Sequence, residues 1–330
     1  MQLDIYGLRE QPFLMTPDAR LFFASSVHSR AYAHLMYGLE QREGFVVVTG
    51  EVGAGKTTLI DRFCTELDPN AFLLARIVTT QVTGDDLLRL VADAFGASAD
   101  GDKAAVLRGI IAALRTPGRR HVLIIDEAQG LSPQGLEELR MLSNVTDGTR
   151  ALLQTILLGQ PELQRTIASP SLSQLRQRIL ACFHLSALSR DETRDYVEHR
   201  LRAVGWDGQP SWEDTAFNVI YRHSGGIPRR INRLCSRVLL SGALEQALHL
   251  TTEMVEVTAA ELEADLGIAP VRDAVGARNS MFLTSDLPLD VEVQLDDISR
   301  RVDMLERTTE RRERVFRRLM DLLAEPRGGR

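Results

Sequence analysis

One eight-residue stretch limits what this chain can fold into more than any other. Gly50-Glu51-Val52-Gly53-Ala54-Gly55-Lys56-Thr57 has the form G-x-x-x-x-G-K-[ST]. It follows the apolar run Phe45-Val46-Val47-Val48-Thr49 and precedes Thr58-Leu59-Ile60-Asp61-Arg62-Phe63, so it reads as strand, glycine loop, helix. The glycines let the backbone bend until successive N–H groups, from Gly50 to Thr58, face one point, and the helix N-terminus adds its positive end there. Lys56 is then expected to reach the β- and γ-phosphates of a nucleotide, with the Thr57 hydroxyl on Mg2+. A glycine-rich turn that binds nothing is the alternative, but loop, lysine, hydroxyl and flanks all agree. The chain has two lysines, Lys56 and Lys103, among 39 basic residues. A sequence that otherwise uses arginine keeps lysine where a compact point charge is wanted.

A second landmark is His121-Val122-Leu123-Ile124-Ile125-Asp126-Glu127-Ala128-Gln129. It reads as a buried strand presenting carboxylates at its C-terminal edge, where open α/β sheets bind ligands. Asp126 is expected to hold Mg2+ through water, and Glu127 to orient and polarise the attacking water. Alone, an acidic strand end would be unremarkable; downstream of the loop it reads as a site.

Around these landmarks strands and helices alternate. Residues 71–78 and 151–159 read as strands, with another near Ala181–Leu185. Helices are expected from Ser26 to Gln41, from Gly84 past Val91, over 103–114 and from Pro133 to about Asn144. Near-continuous apolar strands argue for a parallel sheet covered on both faces. From Ser189 no further strand is evident. Ser189-x-x-Glu192 and Ser211-x-x-Asp214 look like capping boxes opening helices, and helices to about Leu248 and Leu266 close a small all-helical unit.

Several single residues carry open readings. His28, before the first strand, is an adenine-pocket candidate or a helix-start histidine. Gln160, at the end of the 151–159 strand, either senses the γ-phosphate or serves as a turn residue. Arg176 and Arg178 precede the last strand. One of them could reach a nucleotide held by a neighbouring subunit, or both could be solvated. Arg229 lies just inside the helix start of Gly225-Gly226-Ile227-Pro228-Arg229-Arg230, where a cation opposes the macrodipole and so asks for an anion. It is read as reaching across a domain cleft to the phosphates, against a plain surface arginine.

The 330 residues allow roughly two or three domains. A net charge of −6 argues against bulk nucleic-acid binding but leaves room for a local basic face. Cys64, Cys182 and Cys235 are scattered and form no C-x-x-C pair, which suits a reducing cytosol and no zinc or disulfide framework. No signal peptide and no membrane span are read, so a cytoplasmic protein is expected. The domain expectation is a lead-in over 1–43, a base over 44–187, a lid over 188–266, a linker over 267–289 and an amphipathic helix or coiled coil over 290–325. In that last segment Leu295, Ile298, Val302, Leu305, Thr309, Arg312, Phe316 and Leu319 follow one another at three and four residues. The arginines near its end, from Arg311 to Arg318, suit a solvated face, an acidic partner or the inner-membrane surface.

Taken together, these motifs resemble the AAA+ ATPases of the general-secretion ExeA/GspA type. The shared pattern is Tyr6-Gly7-Leu8, Pro12-Phe13, Thr16-Pro17-Asp18, Ser25-x-x-His28, the glycine loop, Asp126-Glu127-Ala128-Gln129, Gly159-Gln160-Pro161-Glu162-Leu163, Gln177-Arg178-Ile179 and Gly225 to Asn232. The subfamily associated with exosortase/PEP-CTERM and exopolysaccharide loci in Gram-negative bacteria is the nearest in kind. The resemblance implies a five-stranded parallel P-loop base with a helical lid, ATP and Mg2+ as ligands, and a homo-oligomer working with envelope-export or polysaccharide-assembly proteins. It implies phosphate binding by Gly53, Gly55, Lys56 and Thr57, Walker B roles for Asp126 and Glu127, sensor roles for Gln160 and Arg229, and a finger role for Arg178. Two other readings stand beside an export ATPase: a DNA-associated ATPase related to transposition regulators, and a nucleotide-gated scaffold with negligible turnover.

Overall fold

The structure, a computed structural model of the chain, describes residues 4–16, 18–78, 83–116 and 118–265. The expected linker and heptad segment lie outside the described residues.

Residues 14–200 and 224–231 pack as one unit. Its centre is a parallel sheet of β1 (Phe45–Gly50), β2 (Phe72–Val78), β3 (Arg120–Asp126), β6 (Leu153–Gly159) and β7 (Ile179–Leu185), in the order β2-β3-β6-β1-β7. All of its pairings are parallel. Period-two alternation sends neighbouring side chains to opposite faces. Phe45, Val47, Leu123, Ile125 and Leu157 face one core with α3 (Gly84–Ala94), α4 (Lys103–Leu114), α5 (Pro133–Leu142), α6 (Pro161–Ile167) and α7 (Ser173–Arg176). Val46, Val48, Val122, Ile124, Ile156 and Leu158 face the other with α1 (Ser26–Gln41) and α2 (Lys56–Glu66). With both faces covered, the middle strands are apolar throughout, as expected of a doubly wound sheet. Gly38 of α1 lets that helix lie directly on Val46, because a Cβ there would collide with the valine side chain.

A small antiparallel hairpin, β4 (Thr146–Asp147) with β5 (Arg150–Ala151), precedes β6. The sequence reading starts the β6 strand at residue 151, whereas Ala151 ends β5 and β6 begins at Leu153; Gly148, with φ +61, turns the hairpin between β4 and β5. Ser189 and Glu192 do form the expected capping box at the start of α8 (Arg190–Ala203): Glu192 N donates to Ser189 Oγ at 3.2 Å, and Ser189 N to Glu192 Oε2 at 3.0 Å.

The second unit comprises residues 4–13, 201–223 and 232–265. It contains α9 (Ala216–Ser224), most of α10 (Pro228–Glu245) and α11 (Thr252–Asp265). The Tyr6 hydroxyl donates to the Ala247 carbonyl at 3.1 Å, and Arg9 N to the Val204 carbonyl at 3.0 Å. The unit is not wholly helical, since β8 (Ser211–Trp212) pairs in parallel with β9 (His249–Leu250). That pairing corrects the second capping box. Ser211 Oγ is bonded to the Leu248 carbonyl and His249 Nδ1, and the helix begins only at Ala216.

Candidate functional site

The site gathers at the C-terminal edge of the sheet. After β1 the chain turns through Gly53 (φ +84) and Gly55 (φ +97) before α2 begins at Lys56. Both glycines sit in the left-handed region and are crowded. A Cβ on Gly53 would fall inside the Arg229 side chain, and one on Gly55 would lie 2.7 Å from His28 Nε2. Gly55 caps α2 without a side-chain bond, so the first N–H groups of the helix face the loop's concavity. A nest of this kind is built for an anion.

Lys56 is buried and folds back over the loop, donating to the Gly50 carbonyl at 2.7 Å and the Glu51 carbonyl at 3.0 Å. Burial pulls its amine below the ordinary lysine value, against the opposing attraction of Glu127, Asp126 and Glu51. Thr57 Oγ1 lies 3.4 Å from Asp126 Oδ2. One hydroxyl and one carboxylate at that spacing fit Mg2+, which keeps much of its shell for water and phosphate oxygens. No cluster of three or more metal-ligating His, Cys, Asp or Glu side chains occurs among the described residues.

Asp126 ends β3, and Glu127 follows with φ +54, an uncommon backbone state for a residue with a side chain. Asp126 Oδ1 accepts from Glu127 N at 3.0 Å. Glu127 Oε2 accepts from Gln129 Nε2 at 2.5 Å and from Gln160 Nε2 at 3.3 Å. Gln129 Oε1 in turn accepts from Gln160 N at 2.9 Å. Two amides thus fix the direction in which the Glu127 carboxylate points. A carboxylate so aimed can orient water, and Gln160 is linked to it directly.

Two contributors were not singled out from the sequence. Gln129 belongs to the Asp-Glu-Ala-Gln motif, but its bridging position emerges only when β6 lies beside β3. Arg76, in β2, is ion-paired to Asp126 at 2.9 Å and to Asp61 at 2.5 Å. Burial opposes the Arg76 charge, but the bonds to Asp126 and Asp61 outweigh it and raise the group above its ordinary value. An arginine in mid-strand gives no sequence signal of a partner fifty residues away.

His28, on α1, lies beneath the loop. Its Nδ1 is 2.7 Å from Ser25 Oγ, and its ring also bonds the Ala54 backbone. The turn carrying Arg229 belongs to the same unit as the loop, and Arg229 N donates to the Gly53 carbonyl at 3.2 Å. Arg178 is not brought to this site. Its carbonyl accepts from Phe45 N at the opposite end of β1, about 17 Å away at 3.3 Å per residue. Arg176 is bonded to the Ile167 carbonyl at 2.9 Å and to that of Ser169.

Comparison with known proteins agrees with this architecture. Residues 39–167 match the model of the AAA domain family. Over 246 residues, 73% of this chain, the sequence is 40% identical to General secretion pathway protein A of Aeromonas hydrophila, of which it covers 45%. The chain therefore spans less than half the length of that relative. Among solved structures, Cdc6p from Pyrobaculum aerophilum superposes with a TM-score of 0.59 at 16% identity, covering 74% of this chain and 71% of that one. The Aeropyrum pernix ORC2 protein, solved as ADPNP–ADP complexes, superposes with a TM-score of 0.55 at 16% identity, covering 71% and 66%. At such identities these two speak for the fold alone. Residues 39–167 thus match an AAA domain, and over 246 residues the chain is similar to General secretion pathway protein A.

Proposed function

We propose that the chain is a Mg2+-dependent ATPase serving envelope secretion, in particular the export of exopolysaccharide or PEP-CTERM proteins. The observation that carries the ATPase reading is the convergence of Lys56, Thr57, Asp126, Glu127 and Gln160 at one sheet edge. The secretion assignment rests on the kinship with General secretion pathway protein A. In this reading the backbone from Gly50 to Thr58 cradles the phosphates and Lys56 neutralises their charge. Mg2+, held by Thr57 and through water by Asp126, supplies further charge neutralisation when bound. Glu127 accepts the proton of the attacking water. Gln160 ties that carboxylate to the end of β6, and Arg229 lies against the loop as the arginine that senses the γ-phosphate. His28 braces the loop, and its carbon edge is what remains to meet an adenine. Arg178, remote from its own loop, acts as a finger on the nucleotide of a second copy in a homo-oligomer.

Among the described residues no helix is long and apolar enough to cross a membrane. We place the protein in the cytoplasm, peripheral to the inner membrane, with the arginine-rich tail as its contact. Phosphate release from Mg2+-ATP by the purified chain tests the activity. Glu127→Gln should cut turnover by on the order of 10²-fold or more while ATP still binds. Equal turnover in variant and wild type would instead favour a nucleotide-gated scaffold.

A further inference from the structure

At the opposite edge of the same sheet lies a cavity of about 220 Å³. It opens between the end of α1, the end of α4, the first residues of β3 and the β4–β5 hairpin. Five guanidiniums line it, those of Arg42, Arg115, Arg119, Arg120 and Arg150, against one carboxylate, Asp147. In a chain of net charge −6 this is a local inversion of sign. Arg120 is held in place: it donates to the Leu39 carbonyl, and its guanidinium stacks over Phe72 at 4.8 Å. Among the described residues, no side-chain hydrogen bond or ion pair is formed by Arg42, Arg115, Arg119 or Arg150. Burial, and then the nearby charges of Arg42 and Arg150, press Arg120 below its ordinary value. Five cations gathered around a single carboxylate cost free energy, and an anion bound among them would relieve that cost. Gln154 lines the same cavity; it is 4% exposed, and its Oε1 finds no partner within the protein. A hydrogen-phosphate hydroxyl or an ordered water would satisfy it.

We infer that this arginine-lined cavity is a second anion site, distinct from the nucleotide loop, which binds a phosphate or diphosphate group. Guanidiniums match phosphate oxygens in planar pairs, which favours phosphate over a simple halide. The volume lies below the ~300 Å³ at which drug-sized ligand pockets begin. Convergence on one cavity also differs from nucleic-acid binding, which distributes its cations along a backbone track. The site shares two strands with the nucleotide edge: β3 begins at Arg120 and ends at Asp126, and β6 runs from beside Gln154 to Gly159.

The test is titration of inorganic pyrophosphate into the full chain saturated with ADP, at low salt, followed by calorimetry. One additional binding event is expected. It should weaken at least tenfold in the Arg119→Glu/Arg150→Glu double variant, and also in a milder Arg42→Gln/Arg119→Gln/Arg150→Gln variant, while ADP affinity stays within twofold. These arginines are exposed, and unchanged circular dichroism would confirm that the variants fold. Co-sedimentation with phosphatidylcholine vesicles containing phosphatidic acid identifies the source of the phosphate. Vesicle binding that is lost in the same variants places it on a lipid; pyrophosphate binding without vesicle binding places it on a soluble ligand. No binding beyond ADP, or binding equal in wild type and both variants, overturns the site. Duplex-DNA binding abolished by the same substitutions, with none for pyrophosphate, would overturn it in favour of nucleic acid.

Discussion

Arg76 Nη2 lies 2.9 Å from Asp126 Oδ2, the oxygen that also stands 3.4 Å from the Thr57 hydroxyl. In the proposed ATPase, the Arg76 guanidinium and the water shell of a bound Mg2+ would contend for this one carboxylate oxygen. Arg76→Gln removes the competitor. The Mg2+ concentration that gives half-maximal ATP hydrolysis should fall severalfold. Apo stability should also fall, by about 1.5–3 kcal/mol, the usual cost of losing a charge-assisted hydrogen bond from a buried carboxylate. A magnesium titration of turnover, paired with thermal melts without nucleotide, checks both. An unchanged magnesium midpoint would make Arg76 a purely structural partner.

The glycine loop should tolerate no side chain at its two crowded turns. Gly53→Ala meets Arg229, and Gly55→Ala meets the His28 ring, each at a backbone angle that L residues rarely adopt. Each should cost about 1–3 kcal/mol in apo stability and weaken ATP binding by at least tenfold. Denaturant unfolding and fluorescent-nucleotide titration measure the two effects. The double variant Gly55→Ala/His28→Ala should recover part of the Gly55→Ala loss, because it removes the clash but not the strain.

Acid should destabilise the fold through its buried imidazoles. Burial holds His28 below the ordinary histidine value; burial, followed by the charge of Arg119, does the same to His121. The unfolded chain therefore binds more protons than the native one once pH falls below about 6.5. Stability from this source is complete above that pH and declines as pH drops through the window beneath it. His28→Asn/His121→Asn should flatten the decline between about pH 6.5 and 5, whatever its effect on the plateau. Melting temperature against pH reads the slope directly.

Arg178 offers a test of assembly. If it completes a site on a second copy, Arg178→Ala should lower turnover by on the order of 10³-fold and leave ATP affinity unchanged. Mixing Arg178→Ala chains with Lys56→Ala chains should restore activity above the mean of the two alone, because some interfaces then join an intact loop to an intact arginine. A mixture no more active than its components would remove the finger.

What was legible in the chain follows from how local each signal is. The loop, the strand before it and the Asp126-Glu127 tip are set by contiguous residues, and the sheet edge appears where those residues put it. The Ser189–Glu192 box is equally local and forms as expected. The same spacing at Ser211 fails because His249, thirty-eight residues on, claims that backbone for a strand pair. Arg76 and Gln129 escaped for the same reason. Their importance lies in partners that only the sheet order brings near. The arginine-lined cavity is the extreme case, with its charges drawn from three separated segments and hidden within an acidic total.

The Glu192 carboxylate has a further consequence. One of its oxygens closes the first turn of α8, and the other accepts from Ser26 N at 2.8 Å, where α1 starts. Two residues along α1, His28 fills the space that a side chain at Gly55 would need. A single acidic side chain thereby works as a pivot pin. It closes the first turn of α8 and holds the start of α1 at once, so Glu192→Ala is expected to loosen both helix starts together, read as a lower melting temperature.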